Sequence, residues 1–458
     1  MSATQPQERN QIQFGVFFQG VNFSTIWTEP ESGSQIDFES FRRVAQTAER
    51  GLFAAFFLGE GLRLREHLGK LHDLDVAGRP DAQTQLAALA AVTSKIGLVA
   101  TQNATYNDPF DLAHRLQSLD LLSGGRAAWN VVTTDNAWTG ANFRRGGYLD
   151  HADRYTHAEQ VVETVRAIWD SWDDADGSAR LVARDFGAFD VRGVGRLPRS
   201  PQEHPVLFQA GDSDEGRDFA ARSAEVIFSA HGQFEAASAF AADIRRRTAL
   251  AGRPADDLKI FPGQQFVLAD TEAEAHEKAL WVREKQITPA TALAFLENIW
   301  GTSLADYDPD GPLPDIDPVV EVTGETRGAG FRAKKSKETA DAWREQAAAE
   351  NLSIREFVFK VGGRLEGGII GSYQQVADLL ARYADEHIVD GFNISPFLIP
   401  SGLDDIVDRL VPELQERGVY PTEYRGDTLR EHLGLRPPLT RRGEPGDAAR
   451  QTPSFDLV

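Results

Sequence analysis

The stretch ALAAVTSKIGLVATQNATYNDPFDLAHRLQSLDLLSGGRAAWNVVTT, residues 88–134, carries the alternation that decides the fold. Ile96–Thr105 reads as a β-type run, Phe110–Leu122 as an amphipathic helix, and Arg126–Thr134 as a second β-type run. Strand, helix, strand in that order is the unit from which parallel α/β folds are built.

Working outward, the same pattern continues. Further β-type runs lie at Ile12–Gly20, Ala54–Glu60, Val206–Gly211, Val226–Ala230, Ile260–Ala269 and Gly391–Pro396. Helical stretches separate them at Phe38–Arg50, Gln83–Thr93, Arg154–Trp172, Glu215–Ser223, Phe234–Leu250 and Thr271–Lys285. The clearest is Tyr155–Trp169, with Ala158, Val161, Val162, Val165, Ile168 and Trp169 at helical spacing. Eight β-runs divided by helices predict an α/β protein of the (β/α)8 TIM-barrel type. A doubly wound sheet is the competitor, but no strand here is followed by GxGxxG or GxxxxGK[ST].

The alternation breaks over residues 286–357, where an acidic, Pro-rich loop (YDPDGPLPDIDP) precedes a charged helix at Lys334–Asn351. This segment reads as an insertion before the last strand, a lid or an oligomer surface. The chain after Tyr424, with RRGEPGDAARQTP, has the composition of a flexible terminus. The expected organisation is a flexible N-terminus (1–11), one barrel domain (12–436) and a tail (437–458).

Composition narrows the function. The chain has 458 residues, 41% of them hydrophobic, enough for a globular enzyme core. A formal charge of -21 argues against nucleic acid and against anionic membranes as partners. With no cysteine, thiolate metal sites, disulfides and cysteine nucleophiles are excluded. No run of about eighteen apolar residues exists and the N-terminus has no signal-peptide pattern, so a cytoplasmic protein is expected.

Active sites of such barrels form at the C-terminal ends of the strands. Those ends supply Phe18-Gln19, Gly59-Glu60, Gln102-Asn103, Asn130–Thr134, Gly211–Ser213, His231 and Asn393–Pro396. The set is rich in amides and hydroxyls, lacks a glycosidase's carboxylate pair, and has no His/Asp cluster spaced for a metal. Such a mouth suits a planar polar ring whose chemistry the cofactor brings. In FQAGDSDEGRDFAARSAEVIF a strand ends at Gly211 and a helix begins near Glu215. Its N-terminus is either an anion site for one phosphate or an ordinary turn capped by Ser213. Asp212 and Asp214 do not help a phosphate, whereas Arg217 could. His151 and Tyr155 of HADRY share one helix face and either reach toward a ligand or serve structure. Glu60 either enters the site or pairs with Arg63 or Arg65. Phe17, Phe18, Phe23, Trp27 and Trp129 are candidates for a dry pocket wall, with core packing as the alternative.

In order along the chain, the 88–134 stretch, HADRY, QAGDSDEGRDFAA, DGFNISPFLIPSGLDDIVDRLVPELQERG and TEYRGDTLREHLGL resemble the luciferase-like flavin monooxygenases. The branch is that of the nitrilotriacetate, dibenzothiophene-sulfone and pristinamycin-synthesis monooxygenases, and the resemblance spans roughly residues 12–436. It implies a two-component FMNH2-dependent monooxygenase that inserts one oxygen atom from O2 into a small organic substrate through a C4a-(hydro)peroxyflavin. It also implies a separate NAD(P)H:flavin reductase as partner and a homodimer or homotetramer. An F420-dependent oxidoreductase on the same barrel and a non-catalytic flavin-binding protein are the alternatives. Residue by residue, the resemblance assigns cofactor contacts to Gly59, Glu60, Gln102, Asn103, Asn130, His151, Tyr155, Gly211, Asp212 and Ser213. Asn130, Thr134 and His231 are the candidate catalytic residues. The chain departs from the family's pattern in having Glu60 for Asp, Asp212 for Ala or Ser, and Thr134 where some relatives carry a histidine.

Overall fold

Phe14, Val16 and Phe18 alternate with Gly15 and Phe17 along the first strand, and a strand's two-residue period sends the two sets to opposite faces. The first set packs under the helices, while Phe17 joins a second apolar cluster inside the barrel. The computed structural model describes residues 9–18, 25–26, 29–60, 62, 66–67, 70–71, 80–134, 142–143, 153–172, 178–319, 329–361 and 368–438.

Eight parallel strands close the barrel: β1 (Gln13–Phe18), β2 (Ala55–Leu58), β3 (Gly97–Asn103), β4 (Ala127–Val132), β5 (Val206–Gln209), β6 (Val226–Ser229), β7 (Lys259–Gln264) and β8 (Gly391–Ile394). Each neighbours the next in sequence and β8 returns to β1, which is the (β/α)8 arrangement the alternation predicts. The helices are α1 (Phe38–Arg50), α2 (Ala82–Ala90), α3 (Pro109–Leu122), α4 (Asp153–Trp169), α5 (Asp214–Ser223), α6 (Phe234–Leu250) and α7 (Glu272–Gln286). α4 buries Tyr155, Ala158, Val161, Val162, Val165, Ile168 and Trp169, the face read from its spacing. Burying Trp169 or Ile168 contributes roughly 2–3 kcal/mol each.

Three features depart from expectation. The run Ile260–Ala269 is two strands. At Gln265 the chain leaves the barrel, and Phe266–Ala269 pairs in parallel with Ile369–Ser372. β6 stops at Ser229 and β8 at Ile394, so the longer run has no barrel neighbour beyond that point and finds a new one. The 286–357 segment contains three helices, α8 (Pro289–Trp300), α9 (Ala329–Glu350) and α10 (Ile354–Val361), around their own core of Leu296, Trp300, Leu304, Phe357 and Val358. It starts from the end of α7, where Lys285 pairs with Glu29 beyond β1 at 2.6 Å and the Arg283 guanidinium lies 4.5 Å from the Phe359 ring.

The third is residues 425–438, which pack onto the barrel, while the RRGEPGDAARQTP run lies outside the described residues. Leu429 and Leu433 enter the lumen cluster from the N-terminal end of the strands. Buried Arg430 bonds Glu225 at 2.5 and 3.2 Å, and Gln202 accepts from the Arg430 backbone amide at 3.2 Å. Arg430, Gln202 and Glu225 thus satisfy one another's polar groups at this floor.

Candidate functional site

The lumen below the mouth is aromatic. Phe57 meets Phe17 and Phe228 edge to face, with ring centroids 4.8 and 4.7 Å apart, and Phe208 lies 5.4 Å from Phe228. Gly59 opens the rim here, since a Cβ on it would lie 3.1 Å from the Phe17 ring. Of the proposed wall, only Phe17 faces inward among the described residues. Phe18 stacks on Phe41 of α1 at 4.1 Å, and Trp129 packs under the helices and donates Nε1 to the Gln102 carbonyl. The strand period had already put Trp129 on the face opposite Asn130. Phe23, Trp27 and Gln19 lie outside the described residues.

Above this layer the wall turns polar. Thr101 and Asn130 are register partners on β3 and β4, and Asn130 Nδ2 donates to Thr101 Oγ1 at 3.0 Å. Asn130 Oδ1 is buried without a hydrogen-bond partner, as is Asn393 Oδ1 on β8. Buried orphan acceptors cost about 1–3 kcal/mol, so such atoms mark places where a ligand or water completes the site. Asn103 Nδ2 donates to the Thr134 hydroxyl, and Asn103 Oδ1 accepts from the Thr105 amide at 2.7 Å.

Gln102 and Asn103, read together as a polar pair, point to opposite sides of the wall. Gln102 donates Nε2 to Glu60 Oε2 at 3.1 Å and accepts from Arg115 of α3 at 3.1 Å. Arg115 also reaches Gln83, Asn107 and Asp111. Burial, then the hydrogen bond and charge of Asp81, push the Glu60 carboxyl up to about 8. Asp81 itself caps α2 by accepting from Thr84 N at 2.7 Å. Glu60 is thus held by Gln102 and Asp81, two partners the sequence did not suggest; Arg63 and Arg65 lie outside the described residues.

The other half of the site lies at the start of α5. Ser213 is its N-cap and accepts from the Gly216 amide at 3.2 Å. The first intrahelical bond runs from Arg217 N to Ser213 O, so the earlier amides point out of the helix end. The turn is tight: a Cβ on Gly216 would lie 2.9 Å from Gly211 Cα and 2.7 Å from the Tyr155 hydroxyl. Tyr155 of α4 therefore reaches this loop. His151 lies outside the described residues. Asp212 Oδ1 accepts from Arg217 Nη2 at 2.8 Å and faces His231 Nε2 at 3.0 Å. Arg217, the cation expected to help a phosphate, is committed to Asp212 and to Asp243, and His231 sits with Asp212 beside this loop.

A sequence model described as luciferase-like monooxygenase matches residues 12–389. The chain belongs to the luciferase-like monooxygenase family. Within that family it is 38% identical to an N-acetyl-S-(2-succino)cysteine monooxygenase of Bacillus subtilis (strain 168), over 95% of this chain and 99% of that one. It is 36% identical to nitrilotriacetate monooxygenase component A of Aminobacter aminovorans, again over 95% and 99%. Among solved structures, a riboflavin lyase with modified FMN and riboflavin superposes with a TM-score of 0.75 at 28% identity, covering 96% of this chain and all of that one. The overall fold is thus shared with that structure, and among the described residues no group of three or more His, Asp and Glu could hold a metal ion.

Proposed function

We propose that the protein is the oxygenase of a two-component system, which takes reduced FMN from a separate NAD(P)H:flavin reductase and uses O2 to oxidise a small organic molecule in the cytoplasm. The observation that carries this reading is the loop from Gly211 to Gly216, where the two glycines pack too closely for side chains and the Tyr155 hydroxyl closes the cradle at the start of α5. A single phosphate fits that donor set of hydroxyls and outward amides.

The fit extends toward the ring. Asn130 would present its unpartnered Oδ1 as acceptor, Asn103 and Thr134 would line the neighbouring rim, and Glu60 would stand at the edge on its Gln102 and Asp81 supports. Reduced FMN supplies the electrons with which dioxygen is activated. The protein's contribution is placement and dryness, with Phe17, Phe57 and Phe228 keeping water from the pocket floor. Among the described residues no helix is long and apolar enough to cross a membrane.

The test is product analysis with FMN, NADH, a flavin reductase and oxygen, using a panel that starts with N-acetyl-S-(2-succino)cysteine and nitrilotriacetate, the compounds named in two relatives. An oxidised product carrying one atom of labelled oxygen is expected. Turnover only with a reduced deazaflavin, or tight FMN binding with no product from any class of substrate, would overturn the reading.

A further inference from the structure

One departure from the family's pattern has a built surrounding. Asp212, an acid directly before the N-cap of a helix that would receive a phosphate, is held by two side chains from different elements. Arg217 comes from α5 and His231 from the loop after β6. Both rest on one ring of α6: the Arg217 guanidinium lies 4.8 Å from the Phe240 centroid and the His231 ring 5.1 Å from it. Behind them Asp243 of α6 accepts from Arg217 at 3.1 Å, and Asp214 is taken by Arg247 at 2.5 Å. Asp212 keeps its charge: although burial opposes it, the hydrogen bonds from His231 and Arg217 hold its carboxyl below the usual carboxylate range.

An unrestrained Asp at this place would turn its carboxylate onto the free amides of the helix end and compete with the phosphate. Its Oδ1 is instead taken by Arg217 and His231. The negative charge nevertheless remains within a few ångströms of the phosphate cradle.

We propose that Asp212, clamped by His231 and Arg217, is the affinity-setting residue of the flavin phosphate site: its negative charge beside the helix end weakens FMN binding. The inference rests on the phosphate reading given above. Its functional sense is exchange. An oxygenase that must take up reduced FMN and release oxidised FMN in every turnover gains from a site that does not hold the phosphate too tightly.

Titrating oxidised FMN and riboflavin by flavin-fluorescence quenching at low ionic strength tests this. Riboflavin lacks the phosphate. Asp212→Ala is expected to tighten FMN by about fivefold or more near pH 8 and to leave riboflavin unchanged, as expected for removing a like charge a few ångströms from the phosphate. Equal FMN affinity in wild type and Asp212→Ala overturns the proposal, as does a change that riboflavin shares. Failure of the wild type to bind FMN at all would instead sink the phosphate reading on which it rests.

Discussion

The hydroxyl of Tyr155 stands 2.7 Å from the point where a side chain on Gly216 would begin. α4 and α5 thus meet through an oxygen and a missing methyl group, at a helix end where outward amides lie beside a hydroxyl. Gly216→Ala is therefore expected to displace Tyr155 or the Gly211 backbone and to weaken FMN by about tenfold, with the fold retained, since helix interiors accept Ala. Anaerobic titration with reduced FMN reads the affinity, and circular dichroism checks the fold. An Ala variant that binds FMN as the wild type does would reduce the contact to packing.

Ser213 serves twice on this reading, as N-cap to Gly216 and as a phosphate donor. Removing the hydroxyl in Ser213→Ala is expected to cost about 1 kcal/mol of stability through the lost cap. A further loss of about 1–2 kcal/mol in flavin binding is expected through the lost donor, the backbone amides remaining. Tyr155→Phe separates the roles, because it removes a hydroxyl without touching a cap. Unchanged flavin affinity in both variants would leave Ser213 and Tyr155 with structural roles alone.

The barrel was legible because each of its strands is an apolar run bounded by a helix of the right period, so β1 to β8 and their order follow from local pattern. What lay beyond local pattern was pairing. Nothing in Ile260–Ala269 marks Gln265 as the exit, because the partner that takes over, Ile369–Ser372, is about a hundred residues away. For Phe18 and Trp129, read as either pocket wall or core packing, the structure shows packing, an outcome that the two-residue period in β1 and β4 suffices to decide. His231 and Asp212 lie 19 residues apart on successive loops, and only barrel closure makes them neighbours. The floor segment was hidden by its composition: Leu429 and Leu433, four apart, carried the signal amid charged residues that read as solvated.

Asn130 tests the polar half of the mouth. Its Nδ2 is bonded to Thr101 and its Oδ1 has no partner, so Asn130→Ala removes an acceptor at the mouth and leaves Thr101 a shorter neighbour. FMN binding, dominated by the phosphate end, is expected to change less than threefold, about the worth of half a typical hydrogen bond. Coupling is expected to suffer: most oxygen consumed should appear as hydrogen peroxide instead of product. The ratio of product to peroxide with a true substrate is the measurement. A wild-type ratio in the variant rules out a part for Asn130 in steering the oxidation.

The floor supplies a stability prediction whose pH direction can be worked out. Buried Glu225 would be costly alone, but Arg430's charge and hydrogen bonds outweigh that burial and bring its carboxyl down to about 2. A depressed carboxylate stabilises the fold fully above its unfolded value near 4.5, and that contribution, on the order of 3 kcal/mol, is lost as pH falls from 4.5 toward 2. His432 acts earlier: burial above all lowers its imidazole to about 4, so the native state prefers it neutral and stability falls as pH drops from 6.5 to 4. Asp120 opposes part of this loss, since burial raises its carboxyl to about 6 and its native form takes up a proton first. The Glu60 carboxyl, pushed up to about 8, acts in the same sense as Asp120, so melting temperature is expected to change little between pH 6.5 and 4.5 and to fall steeply below 4.5. Arg430→Met leaves Glu225 buried without its partner and is expected to cost about 3–5 kcal/mol at pH 7. Adding Glu225→Gln to it should recover much of that loss and flatten the steep acid limb. A double variant as unstable as the single one, or one that keeps the steep limb, would show that the plug is held by Leu429 and Leu433 and not by the ion pair.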